Sequence, residues 1–521
     1  MATRRLTHMR LFTAAAFVVL CAAQMTAQPA PQQSRLMDLN VVAVDRNGTP
    51  VNDLNIDDLA ISDAGKPEKI VFFKHLEVQQ PDDSALPPRA PLPNEFSNRS
   101  ITGTHHATVI LFDLLNERMG TRANAWSQLV KYLAPLRNSD DLYLYLLTLD
   151  GRLFEVHGLS APARNPGSPP WTRTIKPLMD RAMTTVTRLR PVDIDVAVRV
   201  QLTYAALLGL TGELGKVPGH KNIVWITDGV PMALGPRRSD TLDFVDFTPQ
   251  LRHLSEFLHR CRVTIYPSRQ IMLGSTDAPP DGPGGSSGMN RESSGTGSGA
   301  SSDETLDEFA RMTGGRPDAG RDIASTIKQA VIDSRNSYQF AYYPAPSNWD
   351  GKFHKIRITS SRKGIRFRAR EGYYAWQESP ESWAQTALDD AVSTTSDAAE
   401  IGLFATLSPD PNNPANALLK ARIESKDIAF LRDAGQFAAH LKVAVVAYRA
   451  DGQAQGSPLI PLDLKYNAQE RDAAPPLFID FNREVPVDPA VRLLRFFVID
   501  LGSNTVGSLS VPTVNVSANQ P

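Results

Sequence analysis

The stretch 108–116, TVILFDLLN, constrains the fold of this chain more than any other. Its apolar residues, Val109 to Phe112, are consecutive rather than alternate, as a strand buried on both faces requires. The run stops on Asp113. In an open α/β sheet, ligands sit outside the carboxyl ends of the parallel strands, so a carboxylate there is placed for binding or chemistry. A second such run, NIVWIT at 222–227, ends on Asp228-Gly229, where glycine allows a sharp turn. Two buried strands capped by aspartates define the centre of the chain.

The segments between and after them fit helices and strands in alternation. Helical spacing predicts helices over 122–136, 195–214, 251–261, 303–312 and 322–333, and another over 176–189. Strands are expected over 141–149 and 152–156, as a hairpin about Asp150-Gly151, over 262–266, and over 337–343. Residues 274–302 are rich in Gly and Ser and hold almost nothing that could be buried, so they read as a flexible insertion. They contain Gly284-Gly285-Ser286-Ser287-Gly288, which fits the serine-hydrolase pattern by composition alone, without the strand and helix that the pattern needs.

ILFDLLN followed by IVWITDG resembles two strands of a von Willebrand factor type A domain, and the flanking segments resemble secreted bacterial proteins related to it. The later block Leu306, Phe309, Ala310, Thr313, Gly314, Gly315 and the motif Arg370-Glu371-Gly372-Tyr373-Tyr374 resemble the end of the same family. The resemblance covers roughly residues 36–375. It implies an α/β fold, a doubly wound, mostly parallel, Rossmann-like sheet, with a divalent cation at its carboxyl edge.

Carried onto this chain, the family's Asp-x-Ser-x-Ser turn places its aspartate on Asp113 and its two serines on Leu115 and Glu117. The threonine ligand falls near Gln201 or Thr203, and the last aspartate on Asp228. Both hydroxyls of the turn are therefore lost, and leucine has no oxygen to offer. Two arrangements follow. In one, Asn116 or Glu117 substitutes for the serines, and Asp113, Asn116, Glu117, Thr203 and Asp228 hold Mg2+, an ion that demands near-octahedral oxygen coordination. In the other, a nearby arginine or lysine neutralises the aspartates and the adhesion site is degenerate. The missing hydroxyls favour the second.

Around this unit the pattern is β. Short strands are expected within 35–78, and these are too few to stand alone. With the type A-like unit over 105–345, they are expected to pair with strands at 353–370, within the β segment 346–375. Residues 79–104 read as a linker. Six strands without intervening helices over 400–515 point to an antiparallel β-sandwich, preceded by a short helix near 382–393.

The chain has 521 residues, enough for about three domains. Its 55 Lys and Arg against 56 Asp and Glu leave no polybasic character that would suit nucleic acid. Residues 1–27 have the layout of a signal peptide: Arg4, Arg5 and Arg10, an apolar run over 11–23, then small residues to Ala27. The apolar run is too short for a stable membrane anchor. Cys21 lies in that segment, which leaves Cys261 alone in the exported chain and permits no internal disulfide. The histidines form no metal-ligand spacing, since His253 and His259 are six apart on one helix.

These features suggest an exported, periplasmic or extracellular, non-enzymatic protein that binds another protein. An exported hydrolase or a structural envelope component is the alternative. Intact-mass measurement of the native protein should show a chain beginning after Ala23 or Ala27; a chain beginning at Met1 contradicts export by this signal.

Overall fold

The computed structural model describes most of the chain between Leu36 and Thr513. Residues 1–35, 78–94, 100–106, 135–141, most of 160–195, 235–244, 270–301 and 514–521 lie outside the description, as do a few shorter stretches. The expected signal peptide, the Gly/Ser-rich insertion and almost all of the helix over 176–189 fall there. The described part is a mixed α/β protein with one five-stranded, mostly parallel sheet and several antiparallel sheets.

In the five-stranded sheet Ala107–Asp113 is central. Leu142–Leu147 and Lys221–Ile226 flank it in parallel, and Val263–Ser268 continues in parallel beyond Lys221–Ile226. Leu153–His157 closes the other edge antiparallel, through a hairpin in which Gly151 has φ +77°. A Cβ on Gly151 would come within 2.7 Å of Leu202 Cδ2, so the turn needs glycine for both conformation and space.

Because successive side chains alternate, one strand serves two cores. Val109 and Leu111 pack with the helices Val196–Leu214, Thr248–Arg260 and Ser302–Thr313. Ile110 and Phe112 pack with Met119–Leu133 and Ile323–Arg335 on the other face. The consecutive apolar run in TVILFD thus reflects burial on both faces. No helix among the described residues is long and apolar enough to cross a membrane.

The strand Asn336–Tyr342 departs from its expected place in the α/β unit. It lies in a separate four-stranded sheet, between Met37–Val44 and Ile70–Glu77 and antiparallel to both. Met37–Val44 is buried on both faces, with Asp38 and Asn40 on one of them, and its backbone is paired by Asn336–Tyr342 on one side and Arg366–Arg368 on the other. Leu59–Asp63 pairs with Phe353–Ser360. The N-terminal strands therefore share sheets with strands that follow the α/β unit in sequence.

A buried carboxylate ties these pieces together: Asp63 accepts from Tyr373 Oη at 2.7 Å and Tyr342 Oη at 3.2 Å, and faces His354 Nδ1 at 3.1 Å. Tyr342 and Tyr373 are buried, whereas Tyr343 is 41% exposed.

The C-terminal part is two antiparallel sheets around one core. Leu403–Pro409, Asn416–Glu424 and Phe478–Pro486 build one sheet. Gln436–Arg449, Val491–Asp500 and Thr505–Pro512 lead the other. Alternate residues such as Leu419, Ala421, Val443, Phe496 and Val498 fill the space between them. The outer face of the second sheet is covered by the helix Pro380–Ser393, through Trp383, Ala387 and Leu388. Phe96–Ser97, in the expected linker, is instead an edge strand on Leu403–Pro409.

Candidate functional site

Asp113 and Asp228 end adjacent parallel strands, yet their environments differ. Position 113 shares the face of Val109 and Leu111, so its side chain enters the core beneath the helix Val196–Leu214 and is fully buried. There its Oδ2 accepts from Thr227 Oγ1 and Asn116 Nδ2, each at 2.8 Å, and from Trp225 Nε1 at 3.0 Å. Its Oδ1 accepts the Asn116 backbone N–H at 2.9 Å, which closes the turn after the strand. Asn116 Nδ2 also donates to Thr203 Oγ1, and Thr203 in turn donates to the Arg199 carbonyl, both at 2.8 Å. Burial pushes the Asp113 carboxyl up, against hydrogen bonds from Asn116, Thr227 and Trp225 that work to lower it.

Asp228, 7% exposed, has other neighbours. Thr121 Oγ1 lies 3.4 Å from its Oδ2, and Arg269 Nε lies 3.8 Å from its Oδ1. A guanidinium thus stands where a cation would neutralise the carboxylate.

Of the residues predicted from sequence, Asp113, Asn116 and Thr203 come together. Gln201 is exposed on the same helix, and Glu117 lies outside the described residues. Leu115 is buried in the core with Val109 and Leu111. Trp225 and Thr227 were missed as partners of Asp113. Their signal was present in NIVWIT, since two residues two apart on the neighbouring strand share a face with the aspartate.

The donor set does not fit Mg2+. An octahedral ion needs six oxygens with lone pairs turned toward it. Here the Asp113 oxygens already receive four donors, the Asn116 amide presents N–H groups to Asp113 and Thr203, and Arg269 places positive charge beside Asp228. The one orphaned acceptor among these groups is Asn116 Oδ1, which has no hydrogen-bond partner among the described residues. No group of three or more His, Cys, Asp or Glu able to hold a metal occurs among the described residues.

What the constellation does is hold the strand ends and the helix Val196–Leu214 in one arrangement. Asp113→Ala would leave the Trp225 indole, the Thr227 hydroxyl and the Asn116 amide without their acceptor, at a cost of about 2 kcal/mol. Urea unfolding of the variant with and without Mg2+ checks this: the loss is expected to be the same in both.

A scan against known protein families finds none that matches the chain, and a search of curated proteins finds no similar one.

Proposed function

We propose that this chain is an exported, non-enzymatic protein-binding protein built on a type A-like, doubly wound α/β unit whose cation site has become a hydrogen-bonded lock. The observation that carries this reading is the enclosure of Asp113: it is fully buried and its two oxygens take four donors, three of them side-chain groups on Oδ2. A catalytic carboxylate or a metal ligand must be reachable by substrate or ion, and this one is wholly buried, with Oδ2 taken up by three side-chain donors and Oδ1 turned to the Asn116 backbone N–H. Among the described residues no nucleophile and base meet beside it, because Thr203 and Thr227 are both committed within the network.

The type A-like assignment is supported by the order of the mostly parallel sheet, with Ala107–Asp113 at its centre and an antiparallel strand at one edge, and by helices against both faces. Recognition then falls to loops and to the β domains rather than to an ion shared with the partner. Export follows from the basic and apolar start of the sequence.

The test is cross-linking and recovery of the tagged native protein from its exported compartment, with and without chelator, beside calorimetric titration with Mg2+ or Mn2+. A partner captured equally in both conditions, with no saturable ion binding, is the expected result. Capture abolished by chelator, or ion binding lost in Asp113→Ala and Asp228→Ala, would restore the metal-dependent mode. Recovery of nothing above a mock control would sink the protein-binding reading.

A further inference from the structure

A cavity of about 780 Å³ lies between the strand Ile70–Glu77 and the C-terminal β-sandwich, far larger than packing defects and within the roughly 300–1,000 Å³ typical of small-molecule sites. Its wall is strongly apolar, with Phe72, Phe430, Phe437 and Phe478 among the lining residues. Leu477, 81% exposed, and Ile56, 40% exposed, line it too, so apolar surface continues outward to solvent. Exposed large apolar side chains contiguous with a cavity of this size mark a binding site more than a folding requirement.

The charged groups that line it are equal in number, but its hydrogen-bond donors are not all matched. Its three carboxylates are already paired: Glu400 with Lys221 and Arg262, Glu424 with Arg99 and Lys426, and Asp427 with Arg99. Among the lining residues three cations, Lys74, Arg262 and Lys426, stand against these three carboxylates. Lys74 is the lining cation with no carboxylate at ion-pair distance among the described residues; its Nζ donates to the Lys426 carbonyl at 3.0 Å. Burial pushes its ammonium pKa down, against the Asp427 carboxylate, which works to raise it.

Two further donors lack partners among the described residues, Gln339 Nε2 and Arg262 Nε, on side chains that are 2% and 8% exposed. Arg262 also holds a left-handed backbone, φ +52°, a conformation that costs a non-glycine residue free energy and persists where the surroundings demand it. Buried donors without acceptors are costly, and both of these side chains line the cavity with Lys74.

We propose that this cavity binds an amphipathic monocarboxylate, an organic acid with an apolar chain. Its carboxylate is received by Lys74, Gln339 and Arg262, and its chain lies against the phenylalanines. A hydrophobic wall with a few placed polar groups is the usual composition of such sites, and a carboxylate, which only accepts, answers the surplus of N–H donors.

The test is calorimetric titration of the full-length exported protein with decanoate below its micelle concentration, beside decyltrimethylammonium and acetate. Decanoate should bind saturably at one site, the cation with the same chain at least tenfold more weakly, and acetate not saturably. Lys74→Met should weaken decanoate binding at least tenfold. Gln339→Leu should weaken it severalfold while leaving the thermal midpoint of the ligand-free protein unchanged or raised, since it removes a buried unpaired donor; that separates a lost ligand contact from a damaged fold if Lys74→Met folds poorly. Equal binding of decanoate and its cationic counterpart, or decanoate affinity untouched by both variants, overturns the proposal. Binding of an extended apolar peptide without binding of decanoate would replace it with strand addition to the edge strand Ile70–Glu77.

Discussion

Glu400→Gln is expected to be among the most destabilising single substitutions in this chain. Glu400 lies at the junction of the α/β unit and the C-terminal part, 8% exposed, with Lys221 Nζ at 2.5 Å and Arg262 Nη1 at 3.0 Å. Lys221 opens the parallel strand Lys221–Ile226, and its side chain is wholly buried. Burial works to raise the Glu400 carboxyl, but the Lys221 ammonium and the Arg262 guanidinium outweigh it and hold the group below the usual range. Glutamine keeps the volume and removes the charge, which leaves two buried cations without a counter-ion.

Breaking a buried ion pair on one side costs about 3–5 kcal/mol, whereas replacing all its members by apolar groups is often neutral. Urea unfolding should show that loss for Glu400→Gln and its recovery in the triple variant Lys221→Met, Arg262→Met, Glu400→Leu. A loss under about 1 kcal/mol for the single variant would mean that the cluster is solvated and does not bind the two parts together.

Acidification is the second large effect, and it centres on the neighbouring His220. This side chain is 5% exposed, and burial, with the Lys221 and Arg262 charges, pushes its pKa down from 6.5 to about 4. Asn222 and Glu400 act the other way without prevailing. The sign follows from linkage. Between pH 6.5 and 4 the unfolded histidine takes up a proton that the folded one refuses, so stability is full above the unfolded value and falls with pH across that window. A shift of that size corresponds to about 3 kcal/mol between pH 7 and pH 4.

Below pH 4 a second group acts in the same sense. Asp38, beside His259 at 3.0 Å and Asn504 at 2.9 Å, is held at about 2 although burial alone would raise it, so its contribution is lost from its ordinary value of 3.8 downward. Asp113, Asp333 and Asp500 are raised by burial and oppose this trend, because their folded forms keep protons that the unfolded chain releases. Comparison with His220→Gln isolates the histidine: urea stability measured from pH 7 to 4 should lose about 3 kcal/mol less in the variant. Parallel curves for the two proteins would refute the assignment.

The parallel sheet was legible in the chain because its signals are local. TVILFD and NIVWIT are apolar at every position, and the helices between them carry a 3.6-residue period, so strand, helix and burial could be read within windows of a few residues. The same held for most sandwich strands, whose alternation survives in the sequence. Phe96–Ser97 escaped notice because two residues carry no period, and Asn336–Tyr342 was assigned to the wrong sheet because apolar strands look alike whatever they pair with.

At the candidate site the sequence supplied the aspartates and the loss of the hydroxyl ligands, and the structure supplied the rest. Which way Asp113 turns depends on the parity of Trp225 and Thr227 on the next strand and on Thr203 from a helix some ninety residues away in the chain. The placing of Arg269 beside Asp228 depends on where the strand Val263–Ser268 ends.

By itself, then, the sequence determined the doubly buried strands, the helix periods and the chemistry missing from the turn after Asp113, since each is a property of residues close in the chain. Only the tertiary structure decided the pairing of N-terminal strands with strands some 300 residues later, the Lys221–Glu400–Arg262 cluster, and the cavity with its unpaired donors. The reason is that register, charge pairing and enclosed volume depend on which distant segments meet. A local pattern fixes what each segment must bury, not which of several compatible partners buries it.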